Sequence, residues 1–184
     1  DNRLIILDQT YLPAEEVYVI CNDYRTVGDM IRKLGVRGAP AIGTAAAYGM
    51  VLAAWEGRKL TGEAFRHWLE QAAQDLAETR PTAVNLFWAL KRMSRVYPGK
   101  EPETARIALL AEAQKIQRED EESCRKIGHH GLLLLEKLGR PLRILTHCNA
   151  GALATVGDGT ALAVIRRAWE NGILEQVYAG ETRP

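Results

Sequence analysis

The sequence predicts an α/β protein in two parts. The first is a small N-terminal β element joined to a helical domain; the second is the first β-α-β part of a parallel-sheet domain that is incomplete in this chain. Two short apolar segments open the chain, helical patterns fill residues 26–138, and an apolar run at residues 144–146 precedes a further helix and strand. A Gly-Arg-Pro sequence at residues 139–141 separates the parts. We therefore assign residues 1–139 to the first domain and residues 140–184 to the second.

The first part begins with two predicted strands, at residues 4–7 and 17–20, joined by a proline-containing turn. Five helices are expected after them, at residues 26–34, 41–55, 61–78, 82–97 and about 102–138. Thr26 can cap the first helix. The last helix is expected to bend near Gly128 and Gly131, where helix propensity is weakest.

The second part contains the stretch His147-Cys148-Asn149-Ala150-Gly151, directly after the apolar run. This pattern indicates a strand that ends in a turn of small residues, with a thiol at its carboxyl end. Open parallel sheets place their chemistry at that edge. A polar cap at residues 157–160 predicts a helix over 161–165, and residues 176–179 predict the second strand. Cys148 therefore has two interpretations, a small buried packing residue or a catalytic thiol.

Composition excludes several classes of function. The chain has 184 residues and a net charge of +1, which gives no electrostatic case for binding nucleic acid or a membrane surface. Its apolar runs are too short to span a bilayer, and no signal-peptide pattern opens it. The three cysteines are scattered without a CxxC pair, which predicts a reducing, cytoplasmic location and argues against disulfides and zinc. We expect the adjacent His129 and His130 to be helix-surface or packing residues.

Two arginines lie just ahead of proline-opened helices. Arg37 precedes Gly38-Ala39-Pro40, and Arg80 precedes Pro81. An arginine at the start of a helix faces the positive end of the macrodipole, which is unfavourable by roughly 0.3–1 kcal/mol. Finding this twice suggests that an anion offsets it, because helix N-termini and guanidinium groups both bind phosphate. The alternative is that each arginine reaches a neighbouring acidic side chain.

These segments, in this order and spacing, resemble one family over essentially the whole chain. The matching segments are Leu7-Asp8-Gln9-Thr10, Val36 to Gly43, Arg80 to Leu86, Thr146 to Gly151, Gly159-Thr160-Ala161-Leu162 and Glu181-Thr182-Arg183-Pro184. The chain resembles the S-methyl-5-thioribose-1-phosphate isomerases of methionine salvage, a branch of amino-acid biosynthesis. The resemblance implies that the second domain is Rossmann-like. It also implies a cytoplasmic homodimer that acts on a small sugar phosphate.

The implied reaction converts 5-methylthioribose 1-phosphate to 5-methylthioribulose 1-phosphate, without metal or organic cofactor. By motif matching, Cys148 is the catalytic residue, as base or as transition-state stabiliser. Arg37, Gly38, Ala39 and Arg80 would hold the substrate, chiefly its phosphate. The anomeric oxygen carries this phosphate, so the ring cannot open to a free aldehyde. Acid assistance at the ring oxygen and control of developing charge are therefore needed.

The resemblance places the family's catalytic aspartate downstream of residue 184. We therefore expect this chain to be an N-terminal portion of the enzyme, with no activity on its own. Gly180 is a minor departure, at a position where the family often has an acidic or small residue. Glu181 is expected to be structural rather than the missing acid.

Two related functions remain open. One is a ribose-1,5-bisphosphate isomerase. The other is a non-catalytic relative of the regulatory subunits of the initiation-factor 2B exchange complex, against which the thiol of Cys148 argues.

Overall fold

The computed structural model describes residues 2–139 and 141–181. The chain separates into two compact units, one up to Gln117 and one from Arg118 onward. The domain boundary that the sequence predicts, after residue 139, lies where the helices end and the β-α-β unit begins. The second compact unit starts earlier, because it includes the second half of the longest helix.

The N-terminal β element is an antiparallel pair, β1 (Leu4–Leu7) and β2 (Tyr18–Cys21), in which Leu4 pairs with Cys21 and Ile5 with Ile20. Side chains alternate between the core and solvent, as expected for a sheet with one buried face. Cys21 is fully buried, whereas Ile5 and Ile20 are exposed. Both predicted strands are confirmed, the second displaced by one residue.

Four helices and the start of a fifth complete the first unit. They are α1 (Tyr24–Arg32), α2 (Ala39–Glu56), α3 (Gly62–Ala77), α4 (Val84–Met93) and α5 (Pro102–Glu136), with a 3-10 turn at Gly57–Lys59. Helix α2 is the centre of the unit, and α1, α3 and α4 all pack against it. Its alanines and glycines let these neighbours approach closely, so its small side chains serve the core of this unit.

The first four helices start one or two residues away from their predicted positions, and hydrogen bonds account for the shifts of α1 and α4. Helix α1 begins two residues early because Asp23, not Thr26, is its cap; the Asp23 carboxylate accepts bonds from the backbone N–H (2.8 Å) and the hydroxyl (2.9 Å) of Thr26. Helix α4 begins at Val84, so Pro81 lies outside its first turn. The Ala83 N–H bonds to the Arg80 carbonyl at 3.0 Å, which closes a separate turn around Pro81.

Helix α5 runs uninterrupted through Gly128 and Gly131. Both glycines are close-contact positions within the second unit. A Cβ on Gly128 would lie 3.1 Å from the Ala163 carbonyl oxygen, and a Cβ on Gly131 would lie 2.5 Å from Cγ2 of Val164. The missing side chains therefore let another helix rest directly on the α5 backbone.

The second unit contains β3 (Leu142–Thr146), a 3-10 turn (Ala152–Ala154), α6 (Ala161–Glu170) and β4 (Leu174–Ala179). The two strands are parallel, with Ile144 opposite Val177 and Thr146 opposite Ala179. The predicted β-α-β unit is thus confirmed, and each strand begins two residues earlier than its predicted segment. In the described part of the chain, no helix is both long and apolar enough to cross a bilayer.

Candidate active site

Cys148 lies two residues beyond the end of β3, at the carboxyl edge of the parallel sheet. It is exposed, whereas Cys21 and Cys124 are both buried. Its φ of 67° is in the left-handed region, which costs a residue with a Cβ roughly 1–2 kcal/mol. The interpretation of Cys148 as a buried packing residue is therefore wrong. The strained turn presents the thiol to solvent at the edge where α/β proteins place their chemistry.

The turn that carries Cys148 rests on the beginning of α6. The Ala150 carbonyl accepts hydrogen bonds from the backbone N–H groups of Thr160 at 2.9 Å and Leu162 at 3.3 Å. Gly159 has a φ of 91°, and a Cβ there would lie 2.5 Å from the Cα of Gly151. Only glycine at position 159 allows this backbone contact, which fixes the turn against the helix.

The polar cap predicted for α6 is only partly as expected. Thr160 immediately precedes the helix, but its side chain makes no capping hydrogen bond. Its backbone N–H is bound by the Ala150 carbonyl instead. The first turn of α6 is therefore tied to the turn after β3 by main-chain atoms.

The ends of the two parallel strands are close together. A Cβ on Gly180 would lie 3.6 Å from Nδ1 of His147, an ordinary van der Waals distance. The Gly180 position therefore has room for a small side chain beside His147. Glu181 is exposed, and the remainder of the matching motif, residues 182–184, lies outside the described residues.

In the first unit, Arg37 and Gly38 lead into α2. Gly38 is the residue before the helix and has a φ of 93°, a conformation that suits glycine. Pro40 lies in the first turn, as predicted, and the Ile42 N–H bonds to the Gly38 carbonyl at 3.0 Å. The half-buried Arg37 and the exposed Ala39 therefore flank a helix start whose first N–H groups lack intrahelical partners.

Helices α2 and α4, which follow the segments of Arg37 and Arg80, make a close backbone contact with each other. A Cβ on Gly43 would lie only 2.9 Å from the Asn85 carbonyl oxygen, so the second turn of α2 touches the first turn of α4 through their backbones. Arg80 is half-buried in the turn before α4. Within residues 2–139 and 141–181, neither Arg37 nor Arg80 forms an ion pair. The neighbouring acidic partner that the sequence left open is therefore not found among them.

The predicted site residues fall in different units. Arg37, Gly38, Ala39 and Arg80 belong to the first unit and Cys148 to the second, and each group is described by itself.

Sequence reasoning missed Asp120, a half-buried side chain of α5 whose Oδ2 accepts a bond from the Val156 N–H at 2.7 Å. Burial raises the pKa of its carboxyl above the ordinary value, and the hydrogen bond from Val156 offsets only part of this rise. The sequence could not predict this hydrogen bond, because Asp120 and Val156 are 36 residues apart and no local pattern connects them.

Metal-ligand geometry is not found in the described part of the chain, where no group of three or more His, Cys, Asp or Glu side chains is placed to hold an ion. His129 and His130 are both exposed, with ring centroids 5.3 Å apart on α5. Their helix-surface placement agrees with the sequence expectation.

The chain spans about half the length of the curated relatives it matches. It is 54% identical over 187 residues to a methylthioribose-1-phosphate isomerase of Pelotomaculum thermopropionicum, covering 100% of this chain and 50% of that protein. Among solved structures it is similar to 5-methylthioribose 1-phosphate isomerase from Pyrococcus horikoshii (TM-score 0.88, 37% identity, 96% of this chain and 49% of that one).

A second solved structure is similar to a comparable degree. It is the translation initiation factor eIF-2B, subunit delta, from A. fulgidus, with a TM-score of 0.86 and 44% identity over 100% of this chain and 54% of that one. The description "Initiation factor 2 subunit family" matches residues 35–184, most of the sequence. Because this match covers far more than half of the chain, it shows that the chain belongs to the initiation factor 2 subunit family.

Proposed function

We propose that the protein of which this chain is part is an aldose–ketose isomerase that converts 5-methylthioribose 1-phosphate to 5-methylthioribulose 1-phosphate in methionine salvage. The observation that carries this proposal is the exposed, left-handed Cys148 at the carboxyl end of β3. Relatives named methylthioribose-1-phosphate isomerase are 50–54% identical over the whole chain, which supports it.

The thiol suits the central difficulty of this reaction. Phosphate on the anomeric oxygen blocks ordinary ring opening, so bond cleavage and hydrogen movement from C2 to C1 must occur with the phosphate in place. Cys148 acts as base, or it stabilises the charge that develops during this movement. Its exposure at the sheet edge leaves the sulfur free to approach a bound sugar.

The arginine segments supply the phosphate contacts. Arg37 and Arg80 provide two guanidinium groups, which bind phosphate oxygens through charge-assisted hydrogen bonds. Gly38 and Ala39 provide backbone N–H groups at the positive end of the α2 dipole. A bound phosphate thereby offsets the unfavourable placement of Arg37 just before α2.

Location and assembly are further parts of the proposal. Three free cysteines suit a reducing, cytoplasmic compartment. The protein is a homodimer, as the family resemblance implies, and takes a small sugar phosphate rather than nucleic acid or membrane lipid.

A regulatory, non-catalytic role is the second candidate. The 44% identity to the initiation-factor subunit structure favours it. A ribose-1,5-bisphosphate isomerase is the third, since recognition of the sugar's 5-substituent is not assigned to any described residue.

A two-substrate turnover assay on the longest natural form of the protein separates the three functions. It is offered 5-methylthioribose 1-phosphate and ribose 1,5-bisphosphate separately, and ketose product is followed by NMR. We expect turnover of the first substrate only. Turnover of ribose 1,5-bisphosphate alone would show that the protein is a ribose-1,5-bisphosphate isomerase. A folded protein that is inactive on both substrates would support the regulatory role.

The matched variants are Cys148→Ser and Cys21→Ala. The first is nearly isosteric and should abolish most turnover, whereas the second removes a buried thiol of the other unit and should leave turnover near normal. Near-normal turnover in Cys148→Ser would remove this thiol from the mechanism.

A further inference from the structure

The segment at residues 155–160 leads into α6 and contacts both helix α5 and the turn that carries Cys148. We call it the support loop. Its anchor on α5 is Asp120, whose carboxylate accepts the Val156 N–H at 2.7 Å. Asp120 and Val156 are 36 residues apart in the sequence, so this hydrogen bond links two distant segments of the second unit. A charge-assisted bond to a backbone N–H is about twice as strong as a neutral one.

The support loop also lies directly on the α5 backbone. A Cβ on Gly157 would lie 3.1 Å from the Cβ of Cys124 and 3.2 Å from the Cα of Glu121. Within the loop, the buried Thr155 donates its hydroxyl to the Gly157 carbonyl at 3.2 Å. The loop is therefore held at Val156 by a hydrogen bond and at Gly157 by close packing.

The other end of the support loop touches the turn after β3. Gly159 lies against Gly151 through their backbones, and Thr160 donates its N–H to the Ala150 carbonyl at 2.9 Å. Cys148 begins this turn in a left-handed conformation. Such a conformation persists only when its surroundings enforce it.

We propose that Asp120 is a positioning residue for Cys148, acting through the support loop to hold the thiol in its left-handed, exposed conformation. Asp120 touches no substrate in this scheme. Its effect passes from Val156 to Gly159, from Gly159 to the Ala150–Gly151 backbone, and from there to Cys148. The proposal rests on the proposed function, since it assigns Asp120 to the orientation of the same thiol.

Three variants of the longest natural form test this role. Asp120→Ala removes the acceptor for the Val156 N–H. Asp120→Asn restores an oxygen acceptor without the charge. The matched control is Glu122→Ala, which removes an acid two residues away whose partners Arg125 and Lys126 lie on the same helix.

The first measurement is the rate at which iodoacetamide alkylates Cys148 in the folded protein, with the modified cysteine identified by mass spectrometry. We expect Asp120→Ala to change this rate at least about threefold and Asp120→Asn to return it close to wild type. The second is the kcat-against-KM split, where we expect kcat to fall about 10- to 100-fold in Asp120→Ala with KM within about twofold, because phosphate contacts lie elsewhere. The Glu122→Ala control should match wild type in both.

The proposal is overturned if folded Asp120→Ala keeps the wild-type alkylation rate and kcat, or if Asp120→Asn is as impaired as Asp120→Ala. If Asp120→Ala does not fold, Asp120→Glu takes its place: it keeps the carboxylate but displaces it by one methylene. A folded Asp120→Glu with unchanged alkylation and kcat would equally overturn it.

The alkylation rate needs no substrate, so the two proposals fail separately. Altered alkylation in a protein that turns over neither sugar phosphate would support the positioning role and refute the isomerase function. Unaltered Asp120 variants of an active isomerase would do the reverse.

Discussion

The interior of each compact unit is stabilised by a different kind of contact. The first encloses a large apolar cluster whose fully buried members include Tyr24, Ile31, Met50, Leu69 and Leu86. In the described residues from 118 onward, the buried apolar side chains are mostly small, namely Cys124, Leu142, Ala154, Ala163 and Ala168. The second unit relies instead on direct backbone contacts between glycines and their neighbours, such as Gly159 with Gly151.

This difference matters for the proposed site. The arginine segments adjoin a packed helical core, in which each Å² of buried apolar surface stabilises the fold by roughly 25 cal/mol. The thiol stands on a strained turn that main-chain contacts hold in place. Substitutions in the two units should therefore act through different physical effects and differ in size.

The largest effect is expected for Leu69→Ala in the first unit. Leu69 is fully buried, so truncation removes apolar contacts and leaves a cavity, which costs about 2–5 kcal/mol. The matched change in the second unit is Leu145→Ala on β3, where the side chain is 79% exposed and the cost should stay within about 0.5 kcal/mol. Urea denaturation measures both, and equal losses would contradict the contrast between the units.

The second prediction concerns the backbone contact that supports Cys148. Gly159→Ala places a Cβ 2.5 Å from the Gly151 Cα at a φ of 91°, so we expect a loss of about 2–3 kcal/mol from clash and strain together. Gly172→Ala is its control, because Gly172 has a φ of 69° with no atom within 4 Å of the added Cβ, which leaves only about 1 kcal/mol of strain.

Amide hydrogen exchange in β3 and β4 measures this effect locally. We expect a marked loss of protection in Gly159→Ala and a slight one in Gly172→Ala. Similar protection in the two variants would mean that the turn does not depend on the glycine contact.

A smaller effect is expected from alkaline pH in the first unit. Burial raises the pKa of Cys21 from its ordinary 9.0 to about 11, and burial with the bond to Asp75 raises the pKa of Tyr24 to about 12. A raised pKa stabilises the folded state fully below the ordinary value, and this stabilisation is lost as pH rises toward the folded pKa. The Cys21 thiol alone should therefore cost the first unit about 2 kcal/mol of unfolding free energy between about pH 9 and 11.

Cys21→Ala sharpens this test, because it removes the larger part of the loss in that pH range and leaves that of Tyr24. Denaturation followed by the fluorescence of Trp68, whose ring packs on Tyr24, measures it at about pH 8, 9.5 and 10.5. A loss that is unchanged in Cys21→Ala would contradict the assignment.

Local sequence signals were sufficient for most elements. Apolar periodicity and Gly-Arg-Pro punctuation predict the β-α-β unit, and Gly38 with Pro40 predicts the start of α2 to within two residues. The start of α1 was misplaced because Asp23 and Thr26, three residues apart, are both good capping residues. Only the hydrogen bond between them decides which one caps the helix.

The candidate site was predictable only in part. Motifs select Cys148, Arg37 and Arg80 as candidates because each lies directly before or after a recognisable element, and their roles stay predictions. The left-handed conformation of Cys148 and the anchoring of its turn by Asp120 depend on contacts between distant segments. Tertiary packing, which no local pattern encodes, determines both.

The proposed function gives two residues separate roles: Arg80 contacts the substrate's phosphate, and the thiol of Cys148 takes part in the reaction. Steady-state kinetics on 5-methylthioribose 1-phosphate, comparing Arg80→Ala with Cys148→Ser in the longest natural form, tests it most directly. We expect Arg80→Ala to raise KM about 10- to 100-fold with kcat little changed, and Cys148→Ser to lower kcat about 100-fold or more with KM little changed. An unchanged KM in Arg80→Ala, or a near-normal kcat in Cys148→Ser, would contradict this division of roles.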